Sequence, residues 1–128
     1  MVNILTPCID NKGNLTPIEF ADLPFIPCRI FYVNNVPAGV LRGCHAHYKT
    51  RQLLICIKGI IEVNLDDAFE QHTETLTEGK SILIDAMIWD SQRFMTGNDV
   101  LLVLCNTPYD KSDYITDYKK FVKLLRNK

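Results

Sequence analysis

Strand-sized runs rich in β-branched and aromatic residues follow one another along this chain, parted by tight turn signals. That succession restricts the fold more than any other feature. The runs are RIFYV from Arg29, VLRGCHAH from Val40, QLLICIK from Gln52, IIEVNLD from Ile60, HTETL from His72, SILID from Ser81, MIWDSQRFM from Met87 and VLLVLCN from Val100. Asn34-Asn35, Asp66-Asp67, Glu78-Gly79 and Thr96-Gly97-Asn98-Asp99 supply the turns. Many short strands with close turns predict an antiparallel all-β sandwich or barrel. IIEVNLD alternates, with Ile61, Val63 and Leu65 on one side, whereas VLLVLC is apolar on both faces, as in a central strand. Lys58-Gly59 is read as a tight hairpin that joins QLLICIK and IIEVNLD into one antiparallel unit.

At the C-terminal end, Tyr114, Tyr118, Phe121, Val122 and Leu125 recur at helical spacing. With Ser112 or Asp113 as cap and cations toward the end, they predict one amphipathic helix over 112–126, packed outside the β-core. At 128 residues, with no repeat or linker, 1–128 reads as a single domain.

The formal net charge is −1 with both signs interspersed, so no basic stripe suggests a nucleic-acid partner. No apolar run approaches a membrane span, and MVNILTPCID has neither the charged start nor the long apolar stretch of a signal peptide. Five scattered cysteines without a C-x-x-C pair fit reduced thiols in a cytoplasmic protein, where the sequon at Asn14 goes unused.

His45 and His47 carry the chemistry. One residue apart on a strand, they point to the same face, where two imidazoles can ligate a metal or move protons. Arg42 faces the other way unless a bulge at Gly43 resets the register. From Gly39 the chain reads five residues, His45-x-His47, four residues, Gln52, six residues, Gly59. This resembles the first motif of the cupin superfamily, with Gln52 where metal-binding members carry Glu. The second motif is similar to Gly79–Asp90, with Asp85 for Pro, Met87 for Gly and Asp90 for the ligand His. An amide oxygen is a poor ligand for a divalent transition metal, so a metal-free site is favoured, with no cofactor. A metal-dependent oxygenase using His45, His47 and Asp90 is one alternative, and a non-catalytic sugar-binding module is another.

DNKGNL, IPCRIFYV, RGCHAH, MIW, VLLVL and YDKSDYITDYKKF follow in order. Together they resemble the sugar 3,4-ketoisomerases of the cupin superfamily, which act on dTDP-4-keto-6-deoxyglucose. The resemblance implies a cupin jelly-roll barrel with a C-terminal α-helix. It implies a dTDP-4-keto-6-deoxy-hexose substrate and a metal-free shift of the carbonyl from C4 to C3, in the making of a 3-amino-3,6-dideoxyhexose for surface glycans or antibiotics. It also implies a homodimer that exchanges N-terminal strands within 1–20, so that Lys12 reaches a neighbouring site. Sugar-nucleotide 3,5-epimerases share the barrel, but HAH and the C-terminal tail speak against them.

On that resemblance His47 is the leading acid/base and His45 its partner or a holder of a sugar hydroxyl. Tyr32 is placed at the pocket. Arg42 is the first candidate for the diphosphate, through bidentate guanidinium contacts, with Arg51 and Lys12 behind it. Gln52 is expected to face the pocket, and Trp89 to belong to the core. Asp90, counted with the substrate-binding residues, stands where relatives commonly carry His; a carboxylate there would raise a histidine pKa and orient its ring, or act as a base itself, which leaves the configuration at C4 open. His72 is read as a surface strand residue.

Overall fold

The computed structural model describes residues 2–127. Its strands are β1 (Val2–Ile4), β2 (Cys8–Asp10), β3 (Gly13–Leu15), β4 (Arg29–Val33), β5 (Val40–His47), β6 (Gln52–Lys58), β7 (Ile60–Asp66), β8 (Gln71–Thr77), β9 (Lys80–Ile84), β10 (Trp89–Phe94), β11 (Val100–Cys105) and β12 (Tyr114–Ile115), followed by helix α1 (Tyr118–Arg126). They form two five-stranded sheets, ordered β1-β9-β6-β11-β4 and β12-β5-β10-β7-β8, and a separate β2-β3 hairpin. Among the described residues every strand pair is antiparallel. This is the all-β cupin jelly roll with a C-terminal helix that the family resemblance implies.

The inner faces of the two sheets meet in the main core, where Leu54, Ile61, Val63, Leu76, Ile82, Phe94, Leu101 and Val103 are buried. The first sheet is covered on its outer face as well: Leu53, Ile55 and Leu104 lie beneath Leu5, Ile18, Leu23 and Phe25 of the N-terminal segment. Burial on both faces is why β6 and β11 read as continuous apolar runs, whereas β7 alternates. Helix α1 packs outside the second sheet, with Phe121 fully buried against Ala46, Ala68, Ile115, Met87 and Trp89. Removing that phenyl ring from water contributes about 2–3 kcal/mol.

Two local expectations are corrected. The helix starts at Tyr118, not at Ser112, because Tyr114 and Ile115 are extended and pair with His47 and Ala46 of β5. Asp117 caps it, accepting from the backbone N–H of Lys119 and Lys120, while Ser112 and Asp113 sit in a separate 3-10 turn. Lys58-Gly59 does not close a hairpin: β6 pairs with β9 and β11, and β7 with β8 and β10, so the turn carries the chain from one sheet to the other. Asp99 organises this crossing. Its carboxylate accepts from the N–H of Ile60, Thr96 and Gly97 and packs where a Cβ on Gly59 would stand, and Gly59 has φ +88°. A periodicity of apolar residues carries no information about which sheet the next strand joins.

Gly59→Ala is therefore expected to destabilise the protein by at least roughly 2 kcal/mol, from backbone strain and displacement of Asp99. Urea unfolding of the two proteins, with a lower midpoint and unchanged slope for the variant, checks this.

Candidate active site

The histidine strand owes its geometry to a bulge. Opposite β10, Asp90 aligns with His45 and the next residue, Ser91, with Gly43, so Cys44 has no partner. Gly43 and Cys44 take φ values of +82° and +60°. The extra residue reverses the alternation. Arg42, opposite Gln92, thereby joins His45 on the inner face, where both line a cleft with Phe31, Gln52, Gln92 and Tyr114.

His45 borders the cleft and His47 lies one ring deeper, edge-on, with centroids 4.9 Å apart. Tyr114 packs on both, at 5.1 and 4.4 Å. His47 Nδ1–H donates to Asp113 Oδ2 at 3.1 Å, which leaves Nε2 as the free lone pair; that nitrogen is buried and has no partner. Asp113 is itself held, accepting from the N–H of Lys49 at 2.8 Å and of Thr50 at 3.2 Å and from the Thr50 hydroxyl at 2.5 Å. Burial opposes ionisation of Asp113, but these donors outweigh it and keep the carboxyl below its usual range. Burial lowers the His47 pKa; the Asp113 hydrogen bond and charge raise it, and the Arg29 charge lowers it again. His45 is brought down to about 4 by burial and then by the charge of His47. Both rings are thus neutral at physiological pH.

Asp90 is fully buried inside the barrel, accepting a short hydrogen bond from Gln92 Nε2, with its other oxygen unpartnered. Burial pushes its pKa up to about 7, against the Gln92 hydrogen bond. Gln52 faces the cleft as expected and donates to the Cys105 thiol at 3.5 Å. Among the described residues, no group of three or more His, Cys, Asp or Glu is placed to hold a metal ion. With an amide, Gln52, where a carboxylate ligand would stand, and with Asp90 engaged by Gln92, the residues do not fit the metal of metal-binding cupins.

Three candidates lie elsewhere in the chain. Tyr32 projects from the outer face of the edge strand β4 and is 65% exposed, because Arg29, Phe31 and Val33 take the inward positions. Both faces of RIFYV are largely apolar, so the sequence does not reveal its parity. Arg51 is spent on Asp85, at 2.7 Å, and on the carbonyl of Pro24, pinning the N-terminal segment. Lys12 lies in the exposed β2-β3 turn, away from the cleft. Trp89 packs on Tyr118 and Phe121 outside the barrel, and His72 is on an exposed strand near Glu74. A second cleft, lined by Asp66, Asp67, Glu70, His72 and Asp85, is too acidic to attract an anionic ligand.

The sequence reading missed Asp113, Tyr114 and Arg29. Helical spacing draws the first two into the helix; the signal that could place them is SDY, a few residues before the true cap, Asp117. Arg29 lies over the rings of Phe31 and Tyr109, at 4.7 and 5.0 Å, and is a second cation near the histidines.

The Asp90 shift sets a sign for stability. The folded state keeps the Asp90 proton up to about pH 7, whereas an unperturbed aspartic acid loses its proton near 3.8. Ionisation therefore penalises the folded state increasingly as pH rises from about 4 to 7. Asp90→Asn is expected to be more stable than the parent at pH 8, by on the order of 2–4 kcal/mol, with the gap closing toward pH 4. Chemical denaturation across that range measures it.

Comparison with known proteins gives the family and bears out the fold. A curated relative, the TDP-4-oxo-6-deoxy-alpha-D-glucose-3,4-oxoisomerase of Aneurinibacillus thermoaerophilus, is 32% identical over 119 residues, covering 91% of this chain and 86% of the relative. The crystal structure of QdtA, a sugar 3,4-ketoisomerase from Thermoanaerobacterium thermosaccharolyticum in complex with TDP, superposes with a TM-score of 0.93 at 31% identity, over 99% of this chain and 94% of that one. The TDP-fucose-3,4-ketoisomerase WlaRA of Campylobacter jejuni gives a TM-score of 0.89 at 31% identity, over 99% and 96%. The model of the FdtA family, described as WxcM-like, C-terminal, matches residues 2–126, and the chain belongs to that family.

Proposed function

We propose that this enzyme is a sugar-nucleotide 3,4-ketoisomerase that converts TDP-4-keto-6-deoxyglucose to a TDP-3-keto-6-deoxyhexose. The observation that carries the reading is the His47–Asp113 pair, which leaves one buried imidazole nitrogen free beside a cleft lined by His45 and Arg42. The 3,4-ketoisomerase identity of the relatives supplies the substrate class.

His47 Nε2 takes the proton from C3, next to the C4 ketone, while Asp113 stabilises the imidazolium through Nδ1. The C4 oxygen becomes a hydroxyl, giving an enediol. Return of a proton to C4 and loss of the proton on the C3 oxygen complete the shift. Only protons move between the two carbons and their oxygens, so no electron acceptor is required. His45, too weakly basic to serve as the main base at neutral pH, holds the sugar and passes protons between oxygens. Arg42 binds the diphosphate, and Arg29 adds positive potential at the same mouth.

The protein acts as a homodimer in this reading, in the cytoplasm, where its free thiols stay reduced. Ile9, Leu15, Phe20 and Ile26 are each at least half exposed, as are Ile30 and Tyr32 on the outer face of β4. A second copy seated there buries this surface. β1 pairs with β9 of its own chain, and exchange between copies replaces that pairing with an equivalent one. Lys12 and Tyr32 then serve a site through the interface.

Incubation with TDP-4-keto-6-deoxyglucose in deuterated buffer, followed by NMR, is expected to show the carbonyl at C3 and deuterium at C4. Substrate recovered unchanged and unlabelled would sink the reading. His47→Asn should lower kcat by roughly 100- to 10,000-fold with nucleotide binding intact. The acidic limb of the kcat/KM profile is expected below the ordinary imidazole pKa of 6.5, because burial lowers His47. In Asp113→Asn the limb should move further down, since Asp113 raises that pKa, and kcat should drop at least about 10-fold.

A further inference from the structure

One polar unit of the barrel has no part in the steps above. Gln92 is 8% exposed and lines the cleft directly opposite Arg42. Its carboxamide packs against Gly43: a Cβ there would stand 2.9 Å from Nε2 and 3.1 Å from Oε1. Gly43 thus supplies both the bulge and the room for this amide. Nε2 is committed to Asp90 Oδ2, and Asp90 is fully buried, without any route to a ligand of its own. Among the described residues, no donor reaches Gln92 Oε1. The amide is therefore clamped by nitrogen from behind and by Gly43 from the side, and its oxygen is left as an acceptor on the wall of the cleft.

We propose that Gln92 is a sugar-binding residue, its Oε1 accepting a hydrogen bond from a hydroxyl of the hexose, and that Asp90 is the positioning residue that fixes the amide for this contact. The ligand's identity rests on the ketoisomerase reading; the acceptor does not. An amide free to flip would offer N–H or C=O equally and distinguish poorly between a hydroxyl and a carbonyl on the sugar. A clamped oxygen accepts from hydroxyls only. The cost of burying an ionisable group as hydrophilic as Asp90 then has a use: it holds a neutral residue in one orientation.

The test measures KM for TDP-4-keto-6-deoxyglucose and, separately, Kd for TDP alone. Gln92→Met, close in size and without an acceptor, is expected to raise KM roughly 3- to 10-fold while leaving the affinity for TDP unchanged. Asp90→Leu should give the same selective loss, and the double variant should be no worse than either single one, because both remove one contact. Asp90→Asn, whose Oδ1 still accepts from Nε2, should restore the KM. Where Asp90→Leu does not fold, Gln92→Met and Asp90→Asn carry the test. Gln92→Met with unchanged KM, or with TDP affinity lost in parallel, overturns the proposal; additive losses in the double variant, or no recovery in Asp90→Asn, overturn the positioning role. Parent enzyme that binds TDP but leaves the sugar unconverted overturns the ketoisomerase reading instead.

Discussion

The bulge in β5 is the constraint on which the site depends. A regular strand would send Arg42 to the solvent side and leave the histidines alone in the barrel. One unpaired residue, Cys44, and the left-handed backbone at Gly43 put a cation, two imidazoles and the Gln92 amide on one wall. Left-handed backbone at a non-glycine residue such as Cys44 is strained by about 1–3 kcal/mol, and the flanking pairs with β10 on both sides hold it in place. The strain is stored where the chemistry is.

Inside this barrel, polarity is arranged by depth. Toward the mouth are groups with exposure and positive charge, Arg42 and Arg29. Behind them lie His45, His47 and the amides of Gln52 and Gln92, and Asp90 is fully buried. Each buried polar group has a dedicated neighbour: Asp113 for His47, Gln92 for Asp90, Cys105 for Gln52. The two atoms left over, His47 Nε2 and Asp90 Oδ1, are one on the proposed base and one on the proposed clamp. Each shift of pKa in this site has burial as its first cause or its chief opponent.

Much of this was legible from spacing. His-x-His on a strand fixes a shared face, and the apolar runs at Gln52 and Val100 announce strands covered on both sides. Arg42 was legible only conditionally, through Gly43 as a bulge former. What the sequence hid follows from physics that acts across the chain. Asp113 is 66 residues from His47, and its pairing is set by the docking of β12 on β5. Tyr114 fits a helical period by coincidence with its true neighbours Tyr118 and Phe121. In RIFYV, the outward Ile30 and Tyr32 are as apolar as the inward Phe31 and Val33, so the run carries no sign of its parity. Lys58-Gly59 has the residues of a hairpin, yet Asp99, supplied from forty residues later, turns it into a crossing.

The distance in sequence between His47 and Asp113 has a consequence for how the protein matures. A ribosome delivers the histidines well before the carboxylate that orients one of them. All the strands that line the main core precede Asp113, so the barrel can close while His47 is still without its carboxylate. Competence arrives last, when Tyr114 and Ile115 zip onto the edge of β5 and bring Asp113 to Thr50 and His47.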